Sequence, residues 1–178
     1  HADGDQFLHL CFSDRLAFAI ESSHRERFLA DVAGTADRAA PLLFARSEYA
    51  WSTHPKNYRE IERFVTSLGE ILFGRRLDYG WCHLVLQARR LAEVVGQVHN
   101  HDLSVMSEIV LAVRDVVEMK EVDWLEWEDP HELDRDACEL RLEREKSVAE
   151  AQKRLRYAIP MMQTLLRAAG GGSPPAAG

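Results

Sequence analysis

The last third of the chain, from Asp129 to about Ala169, constrains the fold more than any other stretch. It reads as one long helix. Asp129 is a good N-cap, Pro130 fits the first helical position, and Glu132 completes a capping-box pattern. From there Leu133, Ala137, Leu140, Arg144, Ser147, Ala151, Leu155, Ala158, Met162 and Leu165 recur at alternating spacings of mostly four and three. That is close to a heptad seam, diluted by Arg144 and Ser147. At about 1.5 Å per residue, roughly 40 helical residues span about 60 Å. A compact domain of about 140 residues has a radius of gyration near 14 Å, so an unbroken helix projects from it. Such a helix must pair with a second copy or a following domain, and Leu133, Leu140, Val148, Leu155 and Met162 are its candidate contact positions. The alternative is a break at Pro160, which yields two ordinary helices inside one bundle.

With 178 residues the chain suffices for one domain with a proper core. The net charge is −7, with Lys and Arg interleaved among Glu and Asp. A nucleic-acid-binding face needs a basic stripe, and the sequence has none. No apolar run reaches the 18 or so residues of a membrane span, and no signal peptide is visible. Cys11, Cys82 and Cys138 are odd in number and widely spread, so they read as free thiols of a reducing cytoplasm. His1, with no Met before it, reads as an expression scar, and residues 170–178 read as a flexible linker from a longer protein.

The spacing predicts helices over residues 5–33, with a bend near Ser13 and Asp14, and over 40–52, with Pro41 in the first turn. The cleanest amphipathic pattern is at 56–73. There Ile61, Phe64, Val65, Leu68, Ile71 and Leu72 share a face, and Gly74 stands where a C′ glycine belongs. Two further helices are expected, from about Gly80 to His99 and from Asp102 through the valine-rich run to Val117. No strand is expected anywhere. The sequence-level fold is all-α, with about six helices.

The chemistry-bearing residue types offer little. His83 and His99 lie on or beside the apolar seam of the 80–99 segment, which makes them candidate haem ligands; His99 with His101 is a weaker metal pair. Both histidines also fit a plain structural reading, His99 as a helix-end residue favoured by the dipole. No Glu-x-x-His pair sits on an apolar helix face, no nucleophile has a base at a recognisable spacing, and there is no Gly-rich phosphate loop. Trp124 and Trp127, in an acidic wrapper, are either a partner patch or helix-end packing. The Glu/Arg-rich run 139–156 reads as a solvated helix face.

The segment Val65-Thr66-Ser67-Leu68-Gly69-Glu70-Ile71-Leu72-Phe73-Gly74-Arg75-Arg76-Leu77-Asp78-Tyr79-Gly80-Trp81, followed by Cys82 to His99, resembles the centre of sensor globins. In the haem-binding globin-coupled sensors and protoglobins, a helix of this kind carries the proximal histidine. Here no histidine lies between Pro55 and Trp81. That departure resembles the non-haem branch, the N-terminal domains of stressosome sensor proteins and the related sporulation-inhibitory sensor domains. The resemblance implies a globin-like bundle at 5–128, a long signalling helix at 129–169 and a linker at 170–178. It further implies dimerisation through the last helices, an output domain or protein partner beyond them, and a small apolar ligand such as a fatty acid. Phe64, Leu68, Leu72, Trp81, Val85 and His99 are the candidate pocket.

The expected function is therefore a non-catalytic, homodimeric, cytoplasmic sensory domain in stress-type signal transduction, with no cofactor, metal, nucleic acid or membrane partner. Its rivals are a haem-binding gas or redox sensor using His99 or His83, and a ligand-free protein-interaction bundle.

Overall fold

The computed structural model describes residues 6–36, 38–80 and 83–171. It corrects the all-α, globin-like expectation: a four-stranded sheet runs through the molecule. The strands are β1 (Phe7–Leu10), β2 (Leu42–Arg46), β3 (Leu84–Gln87) and β4 (Glu118–Val122). Their spatial order is β1-β3-β2-β4. β1 and β2 both run antiparallel to β3, with Leu8 opposite Leu86 and Leu43 opposite Leu84. β2 runs parallel to β4, with Phe44 opposite Lys120. Around the sheet lie α1 (Ser13–Glu21), α2 (Arg25–Ala33), α3 (Glu48–Thr53), α4 (Lys56–Phe73), α5 (Ala88–Val95), α6 (Val105–Val113), α7 (Asp129–Glu132), α8 (Ala137–Lys146) and α9 (Val148–Ala169).

The strands escape a periodicity reading because both faces of the central pair are covered. Leu43, Leu84 and Leu86 enter a core built with α4, α5, α6 and α9. Leu42, Phe44 and Val85 enter a second core against α1, α2, α3 and the 3-10 turn Asp123–Leu125. A strand buried on two sides is a continuous apolar run, and a short run of that kind has no period to separate it from a helix. β4 takes the stretch just past the valine-rich helix. As an edge strand it exposes Glu118, Lys120 and Glu121.

The single helix from Asp129 is also corrected: it is three helices. Asp134 takes a left-handed φ of 47° and ends the first segment; Asp is among the few residues that tolerate this conformation. Asp136 then caps α8, accepting from the N–H groups of Cys138 and Glu139 at 2.9 Å. Ser147 opens α9 by accepting from the N–H of Glu150 at 3.2 Å, the polar half of a Ser-x-x-Glu box. The alternative break at Pro160 is not there either, because α9 continues through it. Pro160 sits away from the buried side marked by Ala158, Met161 and Leu165. The carbonyl it leaves unbonded, on exposed Arg156, can therefore face water.

α4 is where sequence and structure agree on the boundaries. It spans Lys56–Phe73 and stops at Gly74, whose φ of 68° suits glycine. Its buried side is rotated from the apolar face read from the spacing: Ile61, Val65, Leu68 and Leu72 pack on the first core, whereas Phe64 and Ile71 are exposed. Tyr58, Val65 and Gly69 turn inward. A Cβ on Gly69 would overlap the Tyr79 ring. Gly69→Ala is therefore expected to destabilise the fold by about 1–3 kcal/mol through overpacking, although alanine's helix propensity alone would favour it by about 1 kcal/mol. Urea denaturation checks the sign. A more stable variant would mean that Tyr79 does not pack on the bare helix backbone.

Candidate functional site

The most unusual chemistry lies where β2 ends. Arg46 closes the apolar run Leu42–Ala45, so the strand carries a guanidinium into the interior, where the residue is only 4% exposed. Its Nε and Nη2 donate to Asp78 Oδ2 at 3.3 and 3.2 Å, and its Nη1 donates to Glu62 of α4. Its Cζ stands 3.5 Å from the ring centroid of Trp51 on α3, a desolvated cation–π contact. Ser47 fixes α3 in place by accepting from the Ala50 N–H at 3.1 Å and donating to Asp123 at 2.5 Å.

From Glu62 the chain of contacts continues into the C-terminal helices. Arg154 of α9 donates to the other Glu62 oxygen at 3.0 Å and lies 3.7 Å over the ring of Tyr58. The Tyr58 hydroxyl donates to Glu150 at 2.5 Å. Glu150 accepts from Arg144 of α8, which sits 3.8 Å from Asp129 of α7. One relay, Asp78–Arg46–Glu62–Arg154–Tyr58–Glu150–Arg144–Asp129, thus ties the sheet to α4, α9, α8 and α7.

Its electrostatics are strongly perturbed. Burial would raise Glu62, but Arg46 and Arg154 outweigh it and hold the carboxyl down at about 2. For Asp78 burial wins, helped by the Glu62 charge, and its pKa is raised despite Arg46. Burial, with Glu150 accepting the hydroxyl, pushes Tyr58 up to about 12. Beside the relay, burial and the nearby Arg46 and Arg15 hold His54 neutral, well below the usual histidine range. Its Nδ1–H donates to the Ala50 carbonyl at 2.8 Å. The four central charges, Arg46 and Arg154 against Glu62 and Asp78, balance. Every carboxylate in the relay is engaged by a guanidinium or a phenol, so the arrangement is built to hold elements in register.

Two hollows adjoin the relay. A polar cleft of about 170 Å³ opens beside Arg46 and Trp51, walled by Arg63, Thr66 and Arg76. A smaller apolar one of about 100 Å³ lies between α4 and α9, lined by Val65, Leu103, Ala158 and Met161 under Glu62 and Arg154. The latter holds a few heavy atoms, against the ~300 Å³ or more of an ordinary ligand site.

The residues grouped as a pocket from sequence are not gathered around one cavity. Phe64 is exposed on α4, Leu68 and Leu72 are partly buried against the first core, and Val85 belongs to the second. Trp81 lies outside the described residues. His99 is exposed in the loop after α5, beside an open polar groove lined by Glu108, Arg114 and Arg167. His83 is fully buried and stacked edge-on against His9 and Trp124, and burial pushes it down to about 2. Among the described residues no group of three His, Cys, Asp or Glu side chains could hold a metal ion. Of the candidate contact positions, Leu140 is buried, Met162 is partly buried, and Leu133, Val148 and Leu155 are exposed. Trp124 and Trp127 are interior packing, with Trp124 Nε1 donating to Asp31 at 2.9 Å.

Sequence reasoning missed the relay. Arg46 and Asp78 are 32 positions apart, Glu62 and Arg154 are 92 apart, and no local spacing joins them. The one available signal was a lone arginine directly after four apolar residues.

Comparison with known protein families, with curated proteins and with solved structures finds no match. The all-helical fold that the sensor-globin resemblance implies is not the one observed. No helix of the described residues is long and apolar enough to cross a membrane.

Proposed function

We propose that this chain is a non-catalytic regulatory module in which the charged relay sets the position of α9, its output helix. The observation that carries this reading is the run of contacts from Asp78 through Arg46 and Glu62 to Arg154. Through it, a change beside Arg46 reaches α9 without crossing solvent. The cleft at Arg46, Trp51 and Arg63 is where a signal would enter, and α9 passes it to a C-terminal output domain or a protein partner. A buried network of this kind adds little net stability, but it makes one arrangement of the helices distinct from its neighbours. A reducing cytoplasm suits the free thiols of Cys11 and Cys138.

The test is amide hydrogen exchange on Glu62→Gln. The variant leaves Arg46 and Arg154 without their shared carboxylate, and α9 is expected to open as a unit. Exchange in 148–169 should speed up by about 10-fold or more relative to the strands β2 and β3. Equal acceleration everywhere, or none in α9, would sink the reading.

A further inference from the structure

We infer that the outer faces of α4 and α9 together form the surface on which a second copy of this chain docks; the inference rests on α9 being the output helix. α4 carries the best-defined amphipathic pattern in the sequence, yet two members of its apolar face point to solvent. Phe64 is 59% exposed and Ile71, two turns on, is 79% exposed. α9 repeats the arrangement. With Ala158, Met161 and Leu165 buried, its other apolar side chains form a separate outward line: Val148 (71% exposed), Leu155, Ile159 and Leu166. Spacings of seven, four and seven, with half-covered Met162 inside the last interval, are those of a coiled-coil seam.

The two lines lie on the same side of one helix pair. α4 and α9 run side by side in the same direction: Tyr58 meets Glu150 and Arg154, and Val65 lies with Ala158 and Met161. Going round α4 from Val65, Leu68 leads outward to Phe64 and Ile71. Going round α9 from Ala158, Met162 leads outward to Ile159 and Leu166. These steps turn in opposite senses, so both lines open on the same side of the helix pair.

Three features favour a second copy over another occupant. The exposed apolar side chains of the two lines amount to roughly 600 Å², close to the ~800 Å² per partner of a standard interface once the flanking residues are counted. A two-fold axis lays α4 of one copy across α9 of the other, which gives every seam position a seam to meet and closes a four-helix bundle. The rims also match under that operation: exposed Glu60, with Lys56 as its neighbour on the same helix, borders the α4 line, whereas exposed Arg156 borders that of α9.

The experiment is sedimentation velocity on the whole chain at tens of micromolar. The wild type is expected at twice the chain mass. The double variants Phe64→Glu/Ile71→Glu and Leu155→Asp/Ile159→Asp are each expected at one chain mass, with the dissociation constant raised about 100-fold or more. Far-ultraviolet circular dichroism should stay near wild type, since these side chains are exposed within one chain, and urea midpoints should fall only by the stabilisation that dimerisation supplies. If a double variant unfolds, Ile71→Arg alone replaces it. A monomeric wild type, or variants that remain dimeric, would overturn the inference. A monomer whose α9 still loosens in Glu62→Gln would remove the dimer and leave the regulatory reading standing; a dimer with an unresponsive α9 would do the reverse.

Discussion

Arg46→Met is expected to cost about 3–5 kcal/mol at neutral pH, which is a large part of the stability of a domain this size. Methionine matches only the stem. The cation is lost, and with it the guanidinium contact on the Trp51 ring. Glu62 keeps Arg154, but Asp78, buried and already raised in pKa, is left with an unpaired charge. The double variant Arg46→Met/Asp78→Asn removes that charge and is expected to recover about half of the loss. The deficit of the single variant should also shrink on acidification, because protonating Asp78 removes the orphan. Urea denaturation of the three proteins checks all of this. A single variant within 1 kcal/mol of wild type would mean that water already reaches Arg46 and Asp78.

Acid is expected to destabilise the wild type well before its carboxylates titrate. His54 and His83 are fully buried and held neutral, with folded pKa values below the ~6.5 of the unfolded chain. Below that value the unfolded state binds two protons that the folded state refuses, so stability falls with falling pH. Each histidine approaches about 1.4 kcal/mol per pH unit below that value, so the pair removes about 4 kcal/mol between pH 7.5 and 5. Half-buried His9, also lowered by burial, acts in the same direction. Glu62 joins later: its depressed pKa gives stability that is present above about pH 4.5 and lost as pH falls toward 2. The urea midpoint followed from pH 7.5 to 5 tests this, and His83→Phe should reduce the slope by about half. A midpoint that stays flat to pH 5 would show that the buried rings accept protons without cost.

The legible parts of the chain are those where local chemistry decides the outcome. α4 could be read to the residue, because Pro55 precedes it, the spacing is sustained for five turns, and Gly74 takes the left-handed stop. Most of its inward face could be read too, since Ile61, Val65, Leu68 and Leu72 pack on the core; what could not be read is where that face ends. Gly69, with no side chain, lies on the buried side because Tyr79 fills its place, while apolar Ile71 is left outside. Hydrophobic spacing reports the apolar face of a helix, not the body that covers it. Val148, Leu155 and Met162 do fall on one seam of α9, yet the same helix has a second apolar side that the intact bundle uses for itself. The strands fail for the reverse reason: Leu42-Leu43-Phe44 and Leu84-Val85-Leu86 are buried on both faces and leave no polar side to mark a period.

The sheet has a consequence for how the chain reaches this state. β1, at Phe7–Leu10, pairs with β3 more than 70 residues on, and β2 finds its parallel neighbour in β4, with α3 through α6 intervening. No contiguous half of the chain holds a complete sheet, so no half can mature ahead of the other. Loop closure must come before the pairings that reward it, which places the molecule among slowly and concertedly folding topologies despite its helical content. During synthesis on the ribosome, β2 and β3 would wait with one edge bare until β4 emerges, and chaperone demand should peak in that interval.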